Sequence, residues 1–542
     1  WGFLLSAVQW LPGYEALRLS VREIDPIAAL SAGGFLPWQN LVTFFSPDFF
    51  GNPATYNFWG QPWYDNFALY VGIFPLFLIV LAIFRRQDKT TWFFTFLALF
   101  ALILALPTPL AKWVSNVGLY GVKSIAARII FLLDFSLAIL AALGLDWLLM
   151  KKEFKRPWLI FGLFFVVLGG LWIFTITAGK FFPQAEYLIH LGVAKRNLIL
   201  PTLLLISFMA LLLFLMIFNK KWRLTKFLFV WGVLIIIVFD LFRFGWKYLP
   251  FSRPDLVFPM TSVIEFLQKQ EKPFRVEFGE AIPQNMWVPF HLEGAAGYDA
   301  MAPLRYAQFL GAVRTGRADT PYGRVAQVEN YESKLLDLLN IKYILAVKYD
   351  EKGLRSPEGK PKPIFQNPKF KLVFEDKTVQ VYENLNVLPR AFLTHDYLLE
   401  NNEQEIIGQM LSSKFDLSGE LILEETPVFI PSKRKSLLNE VEWLENQPGR
   451  LKLVVETDQT GLLFLSNNFY PGWRAFVDSH ESKIYRADFT FNAVVIPEGR
   501  HLVEFYYQPK SFLYGSLISL FALANWFLFW VVLIFRKLWS KK

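Results

Sequence analysis

The sequence predicts a polytopic α-helical membrane protein with a large extracytoplasmic domain, which is α/β in its first part and a β-sandwich in its second. Its 542 residues are 54% hydrophobic with a mean hydropathy of +0.33, which is too apolar for a soluble protein of this length. Several apolar runs are long enough to cross a bilayer, and basic residues follow alternate runs. Residues 243–510, by contrast, have a globular composition.

The membrane part begins with residues 1–17, which we interpret as the remnant of a truncated span. Residues 18–66 are predicted to be an external aromatic-rich loop, residues 67–249 a bundle of six helices, and residues 511–542 a last span with a basic tail. Length and lack of charge predict seven complete spans, at Phe67–Phe84, Trp92–Leu106, Ile125–Met150, Trp158–Ala178, Asn197–Phe218, Phe227–Phe242 and Ser511–Phe535. Since the sequence starts at Trp1 without an initiator Met, we expect it to be the C-terminal part of a longer protein.

The charges between the spans predict the orientation of the protein in the bilayer. Clusters of Lys and Arg follow the first, third, fifth and last complete spans, for example at Arg85, Arg86 and Lys152. The alternate loops are poorer in these residues. By the positive-inside rule the basic clusters are cytoplasmic. The aromatic loop and residues 243–510 then lie on the outer face of the membrane.

The predicted outer region divides into two domains. Residues 250–435 are expected to form an α/β domain, because runs such as PFRVEF (273–278) and IKYILAV (341–347) have strand composition beside short helical segments. Residues 436–510 are predicted to be a small β-sandwich of short strands divided by turns. In its last strand Val503 and Phe505 alternate with polar positions, which is typical of a strand with one buried face.

Composition excludes several kinds of chemistry. The chain has no cysteine, so thiolate sites and disulfides are excluded, and its five histidines show no metal-ligand spacing. No phosphate-binding loop, dinucleotide-binding glycines or nucleophile elbow is present. No cofactor is identifiable and the need for a divalent metal is open. The charge of +9 is attributed to the membrane rather than to nucleic acid, because the basic residues flank apolar runs.

The stretch Phe35–Asn66 is the first candidate site. Its many aromatic residues are typical of the headgroup level of a bilayer, and its Pro, Gly and Asn content argues against a span. It is either an aromatic belt over neighbouring helices or a re-entrant loop that lines a substrate cleft. Within it Asn52, Trp59 and Tyr64 are candidates for binding a polar ligand at that depth. Asp48, which ring pairs flank on both sides, is the candidate catalytic base, and the alternative is a turn-forming Asp after Pro47.

Cations near the predicted outer membrane face form the second candidate site. Charged residues at membrane depth are costly and are therefore functional candidates. Arg128, with Lys123 before it, is placed to hold a phosphate on the outer leaflet, and Arg18 and Arg22 are candidates to join it. The alternative is that Arg128 extends to the interface or pairs with a carboxylate. Asp240 and Arg243, three residues apart, are expected to satisfy each other.

The turn YPGWRAFVD (470–478) is a third candidate, because it presents an aromatic surface next to Arg474. Trp473 is therefore a candidate for stacking on a sugar. The alternative is a Pro-Gly hairpin whose Trp covers the core of the sandwich.

Several stretches together resemble the YfhO family of bacterial membrane proteins. The stretches are QWLPGYEALRLSVR (9–22), SPDFFGN (46–52), YNFWG (56–60), KSIAARIIFLLDFSLAILAALGLDWLL (123–149), GYDAMAPLRYAQFL (297–310), LLNIKYIL (338–345), LPRAFL (388–393), FYPGWRAFVD (469–478) and FNAVVIPEGRHLVEFYYQPKSFLYG (491–515). The resemblance implies a type C glycosyltransferase-like architecture. Such proteins move a sugar from a polyprenyl-phosphate carrier to an extracytoplasmic acceptor, here lipoteichoic acid or a related envelope polymer. The resemblance implies that the ligand of Asn52, Trp59 and Tyr64 is a sugar or the acceptor, and that the protein lies in a bacterial plasma membrane.

The chain departs from the type C pattern in one respect. The catalytic acid of those enzymes usually lies in the first external loop near the N-terminus, a region that this sequence lacks, so Asp48 stands as a substitute. The expected partners are a lipid-linked sugar donor, an envelope polymer acceptor and the bilayer, with no nucleic acid. The rival hypothesis is a non-catalytic polymer transport or assembly protein whose outer domain binds carbohydrate. A solute transporter is disfavoured, because no inverted repeat is seen.

Overall fold

A computed structural model describes residues 1–23, 34–116, 126–151, 157–218, 222–249, 251–377, 379–428 and 436–539. The chain divides into two compact units. The bundle unit is Pro26–Arg253, and the mixed unit combines Trp1–Asp25 with Pro254–Lys542.

The first part of the chain is helical. Helices α1 (Gly2–Leu5) and α2 (Ala7–Arg18) belong to the mixed unit. The bundle unit contains α3 (Ile73–Arg85), α4 (Lys89–Ala105), α5 (Pro109–Asn116), α6 (Ile130–Lys151), α7 (Pro157–Thr177), α8 (Ala185–Asn197), α9 (Ile199–Ile217) and α10 (Trp222–Tyr248).

Among the described residues, five helices are long and apolar enough to cross a membrane. They are Ala126–Met150, Trp158–Lys180, Ala185–Ile217, Arg223–Tyr248 and Lys510–Trp539. The pair Lys89–Ala105 and Pro109–Ser115 passes the same test only jointly, with a bend of 72° between the two helices. The chain therefore has the helices of a membrane protein, and the predicted spans within residues 125–242 and 511–535 coincide with them.

Helix α3 differs from the predicted span Phe67–Phe84. The helix begins only at Ile73, because Gly72 has a φ of +95° and separates it from the preceding loop. Its 13 residues extend about 20 Å, which is less than the roughly 30 Å of a bilayer core. Most of its side chains are buried in the bundle core. Helix α3 is thus a short core element.

A glycine sets the close packing of α3 against α6. A Cβ built on Gly144 of α6 would lie 2.0 Å from the carbonyl oxygen of Leu78 in α3. Small residues at helix crossings allow backbones to approach closely where lipid supplies no hydrophobic drive. Gly144 is therefore required by the packing of these two helices.

The mixed unit continues with an α/β region. It contains α11 (Ser262–Gln268), β1 (Arg275–Glu277), β2 (Gly297–Tyr298), α12 (Leu304–Thr315), β3 (Val325–Ala326), α13 (Leu335–Leu338), β4 (Ile341–Val347), β5 (Phe370–Glu375) and β6 (Val379–Asn384). Four strands form a sheet in the order β1-β4-β6-β5, in which β1 and β4 are parallel. The strands predicted at 273–278 and 341–347 are confirmed.

Two further sheets face each other in the second part of the mixed unit. Their elements are β7 (Ala391–Thr394), β8 (Asp396–Leu399), α14 (Glu403–Leu411), β9 (Glu420–Leu423), β10 (Asn439–Gln447), β11 (Arg450–Thr457), β12 (Gly461–Asn468), β13 (Trp473–Val477), β14 (His480–Ser482), β15 (Ile484–Ala487), β16 (Phe491–Ile496) and β17 (Gly499–Tyr507). The sheet orders are β10-β11-β17-β13-β14 and β7-β12-β16-β15-β9-β8. Val503 and Phe505 are fully buried between the sheets, as the alternation predicts.

The second of these sheets crosses the predicted domain boundary at residue 436. Strand β7 pairs with β12, and β9 pairs with β15, so strands from 391–423 complete a sheet whose other strands follow residue 460. These pairings join segments far apart in sequence, and local composition does not encode them.

The last helix, α15 (Lys510–Trp539), packs against α2. A Cβ on Gly515 would lie 2.5 Å from the carbonyl oxygen of Ala7, and the hydroxyl of Ser519 accepts the backbone N–H of Val8 at 3.0 Å. Gly515 and Ser519 form the small-residue spacing typical of helix pairs in membranes. The predicted remnant at residues 1–17 is therefore packed against the last helix.

Candidate functional site

The aromatic loop consists of short turns in its described part. It contains the 3-10 segments Trp38–Phe44, Pro53–Thr55 and Tyr64–Phe67. Gly51 has a φ of +79°, and a Cβ there would lie 2.1 Å from the carbonyl oxygen of Asn57. Only glycine fits this position, and the resulting turn brings Asn57 against the residues after Asp48.

Asp48 is the centre of a buried hydrogen-bond network. Its residue is only 4% exposed. Oδ1 accepts hydrogen bonds from Nδ2 of Asn52 at 2.9 Å and from the hydroxyl of Tyr64 at 2.8 Å. Oδ2 lies 2.7 Å from Nζ of Lys247. The loop therefore holds a buried carboxylate that is compensated by one cation.

Two helix ends fix this carboxylate in place. Lys247 is in the last turn of α10, where a cation also interacts favourably with the helix dipole. Asn197, the last residue of α8, donates from Nδ2 to the backbone carbonyl of Asp48 at 2.6 Å. The hydroxyl of Ser46 donates in turn to the carbonyl of Asn197 at 3.0 Å. The loop is thereby tied to two helices of the bundle.

Asn52 and Tyr64, predicted as sugar contacts, both lie beside Asp48. Asn52 is fully buried, and its Nδ2 also lies 3.0 Å from the hydroxyl of Tyr64. Burial first, and the Asp48 carboxylate second, raise the pKa of Tyr64 well above its usual value. The phenol therefore stays protonated and acts as a donor to Asp48.

Trp59, the third predicted sugar contact in this loop, packs flat against His190 of α8. The ring centroids are 5.0 Å apart with an angle of 7° between the planes. The edge of Phe50 completes its surroundings at 4.8 Å. Its Nε1 is buried without a hydrogen-bond partner among the described residues. Trp59 thus has a packing role and a donor available to a ligand.

A small cavity of about 30 Å³ adjoins Asp48. Asp240 and Arg243 of α10 line it, together with Arg196 and Asn197 of α8. The hydroxyl of Tyr70 donates a hydrogen bond to Oδ2 of Asp240 at 2.7 Å. The sequence spacing had indicated Arg243, and not Tyr70, as the partner of Asp240. A cavity of this size has room for about one water. The cavity therefore brings together two carboxylates, those of Asp48 and Asp240, and two guanidinium groups, those of Arg196 and Arg243.

Arg128 is exposed and precedes α6, in the 3-10 segment Ala126–Ile129. Its Nε donates to Oδ1 of Asn66 at 3.0 Å, so it contacts the aromatic loop two residues after Tyr64. Lys123, predicted to act with Arg128, lies outside the described residues.

Arg18 and Arg22 belong to the mixed unit. Arg18 is exposed in the last turn of α2, and Nε of Arg22 donates to the carbonyl of Ala300 at 2.6 Å. Their role beside a phosphate stays a prediction.

Trp473 begins β13 and is half-buried against the sandwich core. Its ring lies 5.4 Å from that of Tyr507. Trp473 also lines a cavity of about 420 Å³ together with Tyr470 and Arg474. The guanidinium of Arg474 donates two hydrogen bonds, of 2.8 and 2.7 Å, to the carboxylate of Glu481. The side chain thus combines features of both hypotheses, packing against the core and facing a cavity.

Lys247 and Asn197, which hold Asp48 from distant helix ends, were not predicted from the sequence. A Lys flanked by Trp246 and Tyr248 at the end of an apolar run was the available signal for Lys247, since aromatic and basic residues mark a membrane interface. Among the described residues, no three His, Cys, Asp or Glu side chains come together as a group that could hold a metal ion.

Comparison with known proteins gives one family. No curated protein and no solved structure matches the chain. The family model described as bacterial membrane protein YfhO matches residues 2–409 and 432–519, which is most of the chain. The resemblance seen in the sequence is therefore confirmed, and the apolar helices agree with it. The chain belongs to the YfhO family of bacterial membrane proteins.

Proposed function

We propose that this protein is a membrane glycosyltransferase that moves a sugar from a polyprenyl-phosphate carrier to an extracytoplasmic envelope polymer such as a teichoic acid. The observation that carries the proposal is the buried Asp48 carboxylate in a small cavity that Arg196 and Arg243 also line, within a bundle of apolar helices. Charged groups at this depth are costly and mark functional sites. Family resemblance to type C glycosyltransferases supplies the reaction class.

In the proposed reaction Asp48 accepts the proton of an acceptor hydroxyl. The hydroxyl oxygen bonds to the anomeric carbon of the donor sugar while the bond from that carbon to the phosphate oxygen breaks. The polyprenyl phosphate leaves as an anion, and arginine side chains stabilise its charge through paired hydrogen bonds. Arg128 is the proposed phosphate contact, and Arg18, Arg22 and Lys123 are proposed to assist it.

Asp48 has the capacity for this role. An ionised carboxylate offers about four acceptor positions, and the side chains of Asn52, Tyr64 and Lys247 occupy three of them. The position that remains is available to an acceptor hydroxyl. The adjoining cavity holds about one water, so a sugar needs more room beside Asp48 than this cavity provides.

The test is the cellular pool of polyprenyl-phosphate-linked sugars, measured by mass spectrometry with and without the gene. We expect the unspent donor to accumulate on deletion and to fall again when the wild-type gene is restored. Genes that encode Asp48→Asn or Arg128→Ala should leave the donor pool as high as in the deletion strain. Asp65→Asn is the matched control, since Asp65 is an exposed acid of the same loop. Retained activity in a folded Asp48→Asn protein would exclude Asp48 as the base.

A second candidate function is non-catalytic transport or assembly of an envelope polymer. The cavity of about 420 Å³ beside Trp473 favours it, because it has room for a sugar whereas the cavity beside Asp48 does not. A donor pool unchanged by deletion would support this second function.

A further inference from the structure

A cavity of about 750 Å³ lies in the α/β region of the mixed unit. It is placed at the carboxyl ends of the parallel strands β1 and β4, whose last residues Glu277 and Val347 both line it. In open sheets with parallel strands, ligands bind outside the carboxyl ends of those strands. The position is therefore that of a ligand site.

The charges that line this cavity are mainly negative. Glu277, Glu280, Glu329 and Glu332 line it, and Lys362 is the one cation among the described residues that do so. Lys362 lies 3.4 Å from Glu280, which also accepts a hydrogen bond from the hydroxyl of Tyr349 at 2.5 Å. The single cation is thus already committed to one of the four carboxylates.

Glu277 is the buried member of this group, with 4% of its surface exposed. Its Oε1 accepts the backbone N–H of Gly279 at 3.2 Å, and the backbone of Val328 is a second donor to the carboxylate. No cation pairs with Glu277 among the described residues. Burial raises its pKa to about 7. An ionised carboxylate in this position is costly unless a positive charge accompanies it.

The neighbouring wall is aromatic and apolar. Tyr331 and Phe365 line the cavity with their ring centroids 5.7 Å apart. Glu277, Glu280 and Tyr331 line the same cavity. Burial first, and then the charges of Glu277 and Glu280, raise the pKa of Tyr331. Since no three acidic or histidine side chains form a metal-ligand group among the described residues, an organic cation fits this lining better than a metal ion.

We propose that this cavity binds the primary ammonium group of an amine-bearing sugar, with Glu277 as its buried counter-ion and Tyr331 beside the sugar ring. The ammonium supplies the positive charge that Glu277 lacks, and Glu329 and Glu332 at the mouth attract it. That the amine is carried by a sugar rests on the proposed function, whereas the need for a cation does not. The site would recognise an amine-bearing unit of the acceptor polymer.

Binding of glucosamine and of N-acetylglucosamine to the full chain in detergent tests this proposal by calorimetry, without any donor present. The two sugars share a ring, but only glucosamine carries a positive charge. We expect wild-type protein to bind glucosamine at least about tenfold more tightly than the neutral sugar, and Glu277→Gln to lose about the same factor. Equal binding of both sugars, or no measurable binding of glucosamine, would overturn the proposal.

Two additional variants keep the test decisive if Glu277→Gln does not fold. The exposed pair Glu329→Gln with Glu332→Gln should weaken glucosamine binding several-fold, because each change removes a charge at the mouth. Glu405→Gln, an exposed acid of α14, is the matched control and should bind like wild type. Unchanged binding in the pair would contradict the proposal. Glucosamine binding with no change of donor pool on gene deletion would overturn the transferase function alone.

Discussion

Lys247 places its Nζ 2.7 Å from Oδ2 of Asp48, although 199 residues separate them in the sequence. The carboxylate is almost fully buried, and the side chain of Lys247 is 27% exposed. Without this cation the buried carboxylate would still carry the free-energy cost of desolvation, and no positive charge would offset that cost. The pair therefore joins the aromatic loop to the end of α10.

Replacing Lys247 by Met should destabilise the protein by about 2–5 kcal/mol, because Asp48 is then left as an uncompensated buried charge. The double variant with Asp48→Asn should recover part of this loss. Thermal unfolding in detergent of the two single variants and the double variant measures the coupling. Additive losses would mean that the two residues do not stabilise each other.

Gly144→Ala should destabilise the bundle, because the added Cβ would lie 2.0 Å from the carbonyl oxygen of Leu78 and would force α3 and α6 apart. We expect a loss of about 1–3 kcal/mol in thermal unfolding. Gly162→Ala in α7 is the matched control, since no other atom lies within 4 Å of its Cβ position. Equal effects of the two substitutions would refute the close crossing.

Asp488→Asn should stabilise the protein at pH 8 and have a smaller effect at pH 5. Burial raises the pKa of Asp488 to about 7, so the folded state holds a proton that the unfolded state releases above its ordinary pKa near 4. The stabilisation from this group is fully present below about pH 4 and is lost as the pH rises from about 4 through 7.

Asn retains the acceptor that Oδ1 offers to the N–H of Ile422 at 2.8 Å, and it tolerates the φ of +45° at this position. Thermal unfolding of both proteins from pH 5 to pH 8 is the measurement. A stability difference that does not grow with pH would contradict the prediction.

The predicted orientation can be tested by cysteine labelling, because the natural chain contains no cysteine. A cysteine at Ser356 should react with an impermeant thiol reagent applied to intact cells, since the positive-inside rule puts this segment outside. A cysteine at Lys152, a position outside the described residues, should react only after the cells are opened. The reverse pattern would overturn the orientation.

Trp473→Ala should weaken carbohydrate binding if the ring faces a sugar in the cavity beside it. Loss of a stacking ring costs about 0.5–1.5 kcal/mol beyond area burial, whereas removing a core Trp costs about 3–5 kcal/mol of stability. Binding of polymer fragments and thermal unfolding together separate these roles. Trp443→Ala is the matched control, because Trp443 packs on the same sandwich core and does not line that cavity. A large loss of stability with unchanged binding would assign Trp473 to the core.

The helices that are long and apolar enough to span a membrane could be predicted because each depends on local composition, a continuous run of apolar residues. The apolar composition of residues 67–72 made the predicted span start too early, at Phe67. The conformation of Gly72, and not hydropathy, decides that α3 begins at Ile73. Strand β7 could not be assigned to the sandwich from the sequence, because its partner β12 lies about 70 residues later in the chain. The four residues of β7 do not by themselves determine which strand they pair with.

The candidate site was predictable only where its residues are close together in the sequence. Asp48 was apparent from the rings that flank it. Its partners Asn52 and Tyr64 are in the same loop, so proximity in sequence brought them into the prediction. Lys247 and Asn197 come from helix ends that only tertiary packing brings to Asp48.

The packing of α2 against α15 has a consequence for the order of events during synthesis. The hydrogen bond between Val8 and Ser519 joins residues 511 positions apart. A ribosome adding about 5–20 residues per second needs roughly 25–100 s between the two. During that interval α2 is made without its partner, and the whole region of strands must leave the ribosome before the two helices can meet. The contact between α2 and α15 therefore forms only after Ser519 has been made, as a late docking step between two helices that are synthesised far apart in time.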